Sequence, residues 1–187
     1  MRTSSPGQSA LLMLDVADLL AAKHIRYAVV GAMAAAVHGV VRASLDADAV
    51  VGMQVHEARG LQQAFLDAGF EAELRVGDVD DPIPELLEVR DRHRNRVDLL
   101  IGLRGMDPEA LSRTRQVALA GASLEFVGRE DFVAMKAFAG GPVDLADARA
   151  VMDLDRASLD LDLLRRLARR FGREAVQAVE ILVGGAD

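Results

Sequence analysis

Cysteine is absent from the 187 residues, which excludes disulfides, thiol catalysis and Cys-based zinc sites. Lysine is almost absent: Lys23 and Lys136 stand against 20 Arg. An Arg-rich, Ala-rich composition fits a GC-rich genome, so the overall skew needs no functional cause. A retained Lys hints that Arg would not serve in its place. No stretch reaches 18 apolar residues, which excludes a transmembrane helix and a membrane partner. The start is polar, carries Pro6 and Gly7, and lacks the basic-then-apolar order of a signal peptide. A basic excess is missing too: 22 Lys and Arg face 29 Asp and Glu, a net charge of −7. That balance argues against a surface that coats nucleic acid, which needs a broad basic face. There is no internal repeat, low-complexity tract or heptad run. These absences predict a soluble cytoplasmic protein whose residues 1–8 form a flexible start.

What is present is a chain with 51% hydrophobic residues, long enough for one domain or one domain with a small helical appendage. Apolar periodicity predicts a helix over 9–23, a strand over 27–30 ending at Gly31, and a short helix over 32–38 closed by Gly39. A strand over 45–51 and a helix over 55–68 follow, the latter with Leu61, Phe65 and Ala68 on one side. Strands are expected over 70–76, 86–90 and 97–101, with an acidic loop at 77–84. The Asp107-Pro108-Glu109 opening predicts a helix over 107–114, and 116–127 reads as a hairpin. From Arg129 onward the pattern is helical, over 130–139, 144–152, 159–171 and 173–183. The class is α/β (α+β): a mixed β-sheet with flanking helices over 9–127, and a C-terminal helical bundle packed on it over 128–187.

Ser44-Leu45-Asp46-Ala47-Asp48-Ala49-Val50-Val51 is the most informative segment. On a strand, Asp46 and Asp48 share a face about 7 Å apart, while Leu45, Ala47, Ala49 and Val51 turn to the buried side. Two carboxylates on one face repel unless a cation lies between them, and a pair of Mg²⁺ ions roughly 4 Å apart is their usual partner in phosphoryl-transfer sites. Asp-x-Asp also occurs at 78/80, 153/155 and 160/162, so the motif alone says little; only 46/48 lies in an apolar strand. Asp98 is embedded in the same way in Arg96-Val97-Asp98-Leu99-Leu100-Ile101, and if the two strands are neighbours the three acids can converge. The plainer reading makes Asp98 an edge-strand acid paired with a flanking Arg. Gly31 lets a backbone approach a ligand, and a helix start offers N–H groups to an anion; an ordinary strand-to-helix turn has the same sequence.

Lys136 lies among Phe132, Val133, Met135 and Phe138, so it either snorkels to water or is held for a charge partner. Arg42 is placed to contact phosphate or to brace Asp46. His38 reads as a helix-end residue satisfied by backbone. The run from Arg90 to Arg96 is either a solvated turn or a contact for a polyanionic acceptor such as tRNA. Arg165, Arg166, Arg169 and Arg170 suit a solvated face or a partner protein.

Val29-Val30-Gly31-Ala32-Met33-Ala34 through His38-Gly39, then Arg42, then the Asp46/Asp48 strand, resembles the nucleotidyltransferase superfold, and more closely its minimal bacterial branch, the AbiEii-type toxin nucleotidyltransferases. The likeness runs over about residues 26–150 and takes in Asp98, Lys136, Asp144 and Asp147. It implies that Asp46, Asp48 and Asp98 hold Mg²⁺ or Mn²⁺, with Asp98 helping to activate the attacking hydroxyl. It implies that Gly31, Ala32 and Arg42 bind the nucleotide, and that Lys136 serves its phosphates while Asp144 or Asp147 orients that lysine or contacts substrate. The implied reaction moves an NMP from an NTP to a hydroxyl of RNA, tRNA or protein, with an antitoxin protein as partner. The sequence departs from that family at Ala32, which offers no hydroxyl to phosphate, and at Ser44, where Thr is usual. A catalytically weak relative that binds nucleotide or a partner is the alternative implied by those departures.

Overall fold

Alternation of apolar and polar residues, period two, dictates strands that bury one face and expose the other. The computed structural model describes residues 1–185 and contains seven helices and a seven-stranded mixed sheet. Two compact units make up the chain. The first holds residues 1–33, 43–104 and 116–126; the second holds 34–42, 105–115 and everything from Val127 onward. The chain thus enters the second unit three times.

In the first unit, α1 (Ser9–Ala22) leads to β1 (Tyr27–Val30), and α2 (Gly31–Val37) starts without a spacer after it. Then come β2 (Asp46–Val51), α3 (Ala58–Asp67), β3 (Glu71–Val76), β4 (Glu85–Arg90), β5 (Arg96–Ile101), β6 (Arg115–Leu119) and β7 (Ala122–Phe126). The sheet order is β3-β4-β5-β2-β1-β7-β6. β2 runs parallel to β5 and antiparallel to β1, and β4 runs antiparallel to both β3 and β5. Ala47, Ala49, Leu87, Val89, Val97, Leu99 and Ile101 share the apolar face and are fully buried. The helices α1 and α3 pack in this unit, α1 through Leu12, Leu14, Val16 and Leu20, α3 through Leu61 and Phe65. Burying such a face supplies most of the driving force for folding.

Three sequence expectations differ here. Leu45 lies before β2 and is 87% exposed, so it is not part of the buried set; its carbonyl instead accepts a hydrogen bond from Ser9 Oγ at 2.7 Å. Ala68 caps α3 and is exposed rather than packed beside Phe65. The helix expected over 107–114 is reduced to a 3-10 turn at Ala110–Ser112. Asp107 accepts from the Glu109 N–H at 3.0 Å and pairs with Arg113 at 3.2 Å, so side chains replace the helical bonds that so short a segment could not sustain. The first eight residues carry contacts of their own: Arg2 pairs with Asp15 and Asp18, and Asn95 donates to the Ser5 carbonyl.

The second unit is helical: α4 (Arg129–Ala139), α5 (Pro142–Leu154), α6 (Leu161–Phe171) and α7 (Arg173–Gly184). Gly140, at φ +68°, ends α4, and Pro142 opens α5 where its missing N–H costs nothing. Asp160 caps α6 by accepting from the Leu163 N–H at 2.8 Å. Phe138 stacks on Phe171 at 4.8 Å, and buried Asp131 takes two hydrogen bonds from Arg113 at 2.8 and 3.0 Å.

Gly31 has φ +64°, and a Cβ there would meet Asp48 Oδ2 at 2.2 Å. The close backbone approach at this glycine therefore serves the Asp48 carboxylate. Gly69 has φ +83° with nothing within 4 Å of a Cβ. Gly69→Ala should cost about 1 kcal/mol, the left-handed backbone penalty alone. Gly31→Ala should cost about 2–3 kcal/mol, because Asp48 must also move. Urea unfolding of the two variants checks this.

Candidate active site: two charged clusters

The face of the sheet opposite the apolar one carries charge, and the register fixes its order. Asp48 pairs with Asp98, Asp98 with Glu88, and Glu88 with Glu73, so one rung across β2, β5, β4 and β3 is wholly acidic. The next rung reads Asp46, Arg96, Arg90, Glu71. Like charges directly opposite on a sheet destabilise it, so the acidic rung demands cations. Arg90 pairs with Glu88 at 2.6 Å and Arg75 with Glu88 at 3.2 Å. Arg96 serves three acids: Asp46, Asp98 at 3.4 Å and Glu88 at 3.7 Å. Glu88, 2% exposed, is the hub of this network.

Asp46 also accepts from Ser44 Oγ at 2.8 Å. That bond, joined by the contact with Arg96, holds the Asp46 carboxyl below its usual range against the opposing effect of burial. Burial pushes Asp98 up, with Glu88 and Asp46 adding to it and Arg96 opposing. Asp98 Oδ1 is buried and accepts no hydrogen bond, although Arg96 Nε lies within ion-pair reach. β5 is an inner strand, so Asp98 is not an edge residue. Beside these groups Leu45, Asp46, Glu71, Arg90, Arg94 and Arg96 line a cleft of about 540 Å³. Its rim is a stiff turn: buried Asp91 accepts from the His93 and Asn95 N–H groups at 2.8 and 3.0 Å. Arg92 and Arg94 project outward from that turn.

Among the described residues no three acidic or histidine side chains are arranged to hold a metal ion. The donor chemistry nonetheless suits a hard dication: carboxylates aligned on neighbouring strands, one buried oxygen without a hydrogen bond, and a guanidinium already standing among them as a cation.

The second unit holds the second cluster. Lys136, on the buried side of α4, donates to Asp144 Oδ1 at 2.7 Å and lies 3.2 Å from Asp147 Oδ2. Arg42 Nε donates to that same Asp147 oxygen at 3.2 Å. Arg42 therefore braces Asp147 and not Asp46. The Lys136 ammonium also stands 5.7 Å from the centre of the Phe132 ring. Ala32 is buried in the first turn of α2.

Sequence reasoning did not single out Glu88, and it reached Arg96 only as the end of a basic run and as a flanking Arg able to pair with Asp98, a pairing present at 3.4 Å. Glu88 sits in an apolar strand as Asp98 does, and Arg96 lies two residues before Asp98, hence on its face. Both signals were in the pattern.

Asp147 is nearly fully buried, so removing a cation from it leaves charge uncompensated. Lys136→Met should destabilise the protein by about 3 kcal/mol, and the double variant with Asp147→Leu by less than the sum of the singles, in a denaturant double-mutant cycle. His38 Nε2 bonds the Val127 carbonyl at 2.9 Å, and burial pushes its pKa down despite that bond. The unfolded chain then binds more protons than the folded one below about pH 6.5, so this contribution to stability is complete above that pH and declines as pH falls toward the folded value. Between pH 7.5 and 5.5, His38→Gln should lose less stability than wild type, read from urea midpoints.

No protein-family model matches the sequence, and no curated protein resembles it in sequence. Solved structures do match. An antigenic nucleotidyltransferase-like protein from Paracoccidioides brasiliensis superposes with a TM-score of 0.56 at 15% identity, over 98% of this chain and 91% of that one. ANT(2")-Ia in complex with adenylyl-2"-tobramycin gives 0.55 at 16%, over 86% and 95%. The lincosamide antibiotic adenylyltransferase LnuA, lincomycin-bound, gives 0.50 at 11%, over 81% and 99%. At these identities the likeness is one of architecture: the chain has a nucleotidyltransferase-like fold.

Proposed function

We propose that the protein is a nucleotidyltransferase that works with Mg²⁺ or Mn²⁺ in the cytoplasm and transfers an NMP from an NTP to the hydroxyl of a small-molecule acceptor. The observation that carries this reading is the alignment of Asp48 with Asp98 on adjacent parallel strands, with Asp46 one step away on the same face. Asp46, Asp48 and Asp98 would hold the metal. When bound, it would neutralise triphosphate charge and polarise the α-phosphate.

The remaining work falls to the chain. The acceptor oxygen attacks the α-phosphorus in line, the bond from that phosphorus to the bridging oxygen breaks, and pyrophosphate leaves with the electron pair. The hydroxyl proton passes to Asp98 Oδ1, the buried oxygen that accepts no hydrogen bond. Burial of Asp98 favours its protonated form and so makes it a better base at neutral pH. The role of Lys136 toward the phosphates rests on the sequence resemblance alone; within its own unit Asp144 and Asp147 fix its ammonium and Arg42 steadies Asp147. Gly31 keeps Asp48 in place by lacking a side chain.

The structural neighbours favour a small acceptor, since one is described with adenylyl-2"-tobramycin and another with lincomycin. An RNA or tRNA acceptor rests on Arg92 and Arg94 alone. The AbiEii-type assignment, and with it an antitoxin partner, rests on the sequence resemblance over about residues 26–150 alone. No described helix is long and apolar enough to cross a membrane. The second reading, a nucleotide- or partner-binding module with weak catalysis, is favoured by Ala32 and by the engagement of Asp46 with Arg96.

Thermal unfolding with Mg²⁺ and each of the four NTPs tests the proposal. Wild type should gain about 2–3 kcal/mol with one NTP at 100-fold excess over its Kd, and the Asp46→Asn, Asp48→Asn double variant should gain none. Absence of a shift with every NTP would sink the enzymatic reading. A shift without transfer of α-³²P label to a panel of hydroxylated small molecules and RNA would favour the binding module.

A further inference from the structure

We infer that Arg96 is the resting counter-ion of the carboxylate face and that a divalent ion binds there by displacing it, so that Arg96 sets the metal affinity of the site. The inference rests on the reading of Asp46, Asp48 and Asp98 as metal ligands, and goes beyond it by assigning a role to a residue that is no ligand.

Three contacts define the resting state. Arg96 engages Asp46 and Asp98, two of the three acids assigned to the metal, and its third partner is Glu88. A guanidinium and a dication compete for those carboxylates, because the two cations repel at contact distance. The departure of Arg96 would leave only Asp98, itself an assigned ligand, to be neutralised by the incoming ion. Glu88 keeps Arg90 at 2.6 Å and Arg75 at 3.2 Å, and Asp46 keeps Ser44 at 2.8 Å. Asp98 Oδ1 forfeits no hydrogen bond, since it accepts none.

Geometry allows the movement. The Arg96 side chain is 36% exposed and lines the open cleft of about 540 Å³, so its head can swing into solvent while its backbone stays in β5. Its N–H is fixed by Ser9 Oγ at 3.1 Å, which leaves the side chain as the moving part. Arg96 stands directly opposite Asp46 in the β2–β5 pair and lies closer to Asp98 than to Glu88, so the two assigned ligands are its nearer partners.

Calorimetric titration of Mn²⁺ into nucleotide-free protein tests this. Arg96→Gln should bind Mn²⁺ at least about tenfold more tightly than wild type, and Asp98→Asn should abolish binding. Equal affinity in wild type and Arg96→Gln would overturn the inference while leaving the metal-site reading intact, provided Asp98→Asn still loses binding. Absence of Mn²⁺ binding in both proteins would overturn both. Should Arg96→Gln fail to fold, the wild-type protein suffices: with Mg²⁺, the Arg96 Nε–H signal in ¹⁵N NMR should shift, with no shift in Asp98→Asn. An Arg96 signal unmoved while Mg²⁺ saturates the site would overturn the inference.

Discussion

The acidic rung Asp48–Asp98–Glu88–Glu73 is the constraint around which the first unit is organised. Glu88 is buried and Asp48 and Asp98 are half-buried, and three such carboxylates on adjacent strands cannot stay ionised together without positive charge; Glu73, on the edge strand, is exposed. The chain meets the demand from the same face: Arg90 and Arg96, paired with each other, flank the rung on one side and Arg75 flanks it on the other. The apolar face behind it, closed by Leu87, Val97 and Leu99, holds the strands in the register that brings those charges together. Charge and apolar burial are thus arranged on opposite sides of one sheet.

The second unit solves a smaller problem with the same means. Asp147 is buried, and two cations from distant parts of the chain, Lys136 and Arg42, share one of its oxygens. Lysine is a compact ammonium able to meet Asp144 and Asp147 at once beside the Phe132 ring, where the flat fork of an arginine would be a poorer fit. That supplies a physical reason for a lysine in a chain that otherwise uses arginine.

Much of the element order was legible. β1, β2, β4 and β5 fall within a residue of their periodic patterns, since apolar alternation with embedded acids leaves few alternatives. The 107–114 segment was not, because an N-terminal Asp-Pro-Glu signal cannot tell a helix from a 3-10 turn whose side chains are drawn to Arg113. The shared face of Asp46 and Asp48 followed from strand period; the setting of Asp98 opposite Asp48 did not, because it depends on β5 pairing with β2 across 50 residues. The same distance hid the contact of Arg96 with Asp46. Arg42 was placed near the wrong acid for a related reason: periodicity reports which face a residue takes, not which distant side chain it meets.

Gly31 adds a consequence for inheritance. The hydrogen at its α-carbon is all that fits beneath the Asp48 carboxylate. A descendant that gained a side chain at 31 would have to reposition the acid at 48, and one that lost the acid would need the glycine only for its left-handed backbone. The two positions should drift as a pair, with the cost of a side chain at 31 falling to the backbone penalty alone once the acid at 48 is gone.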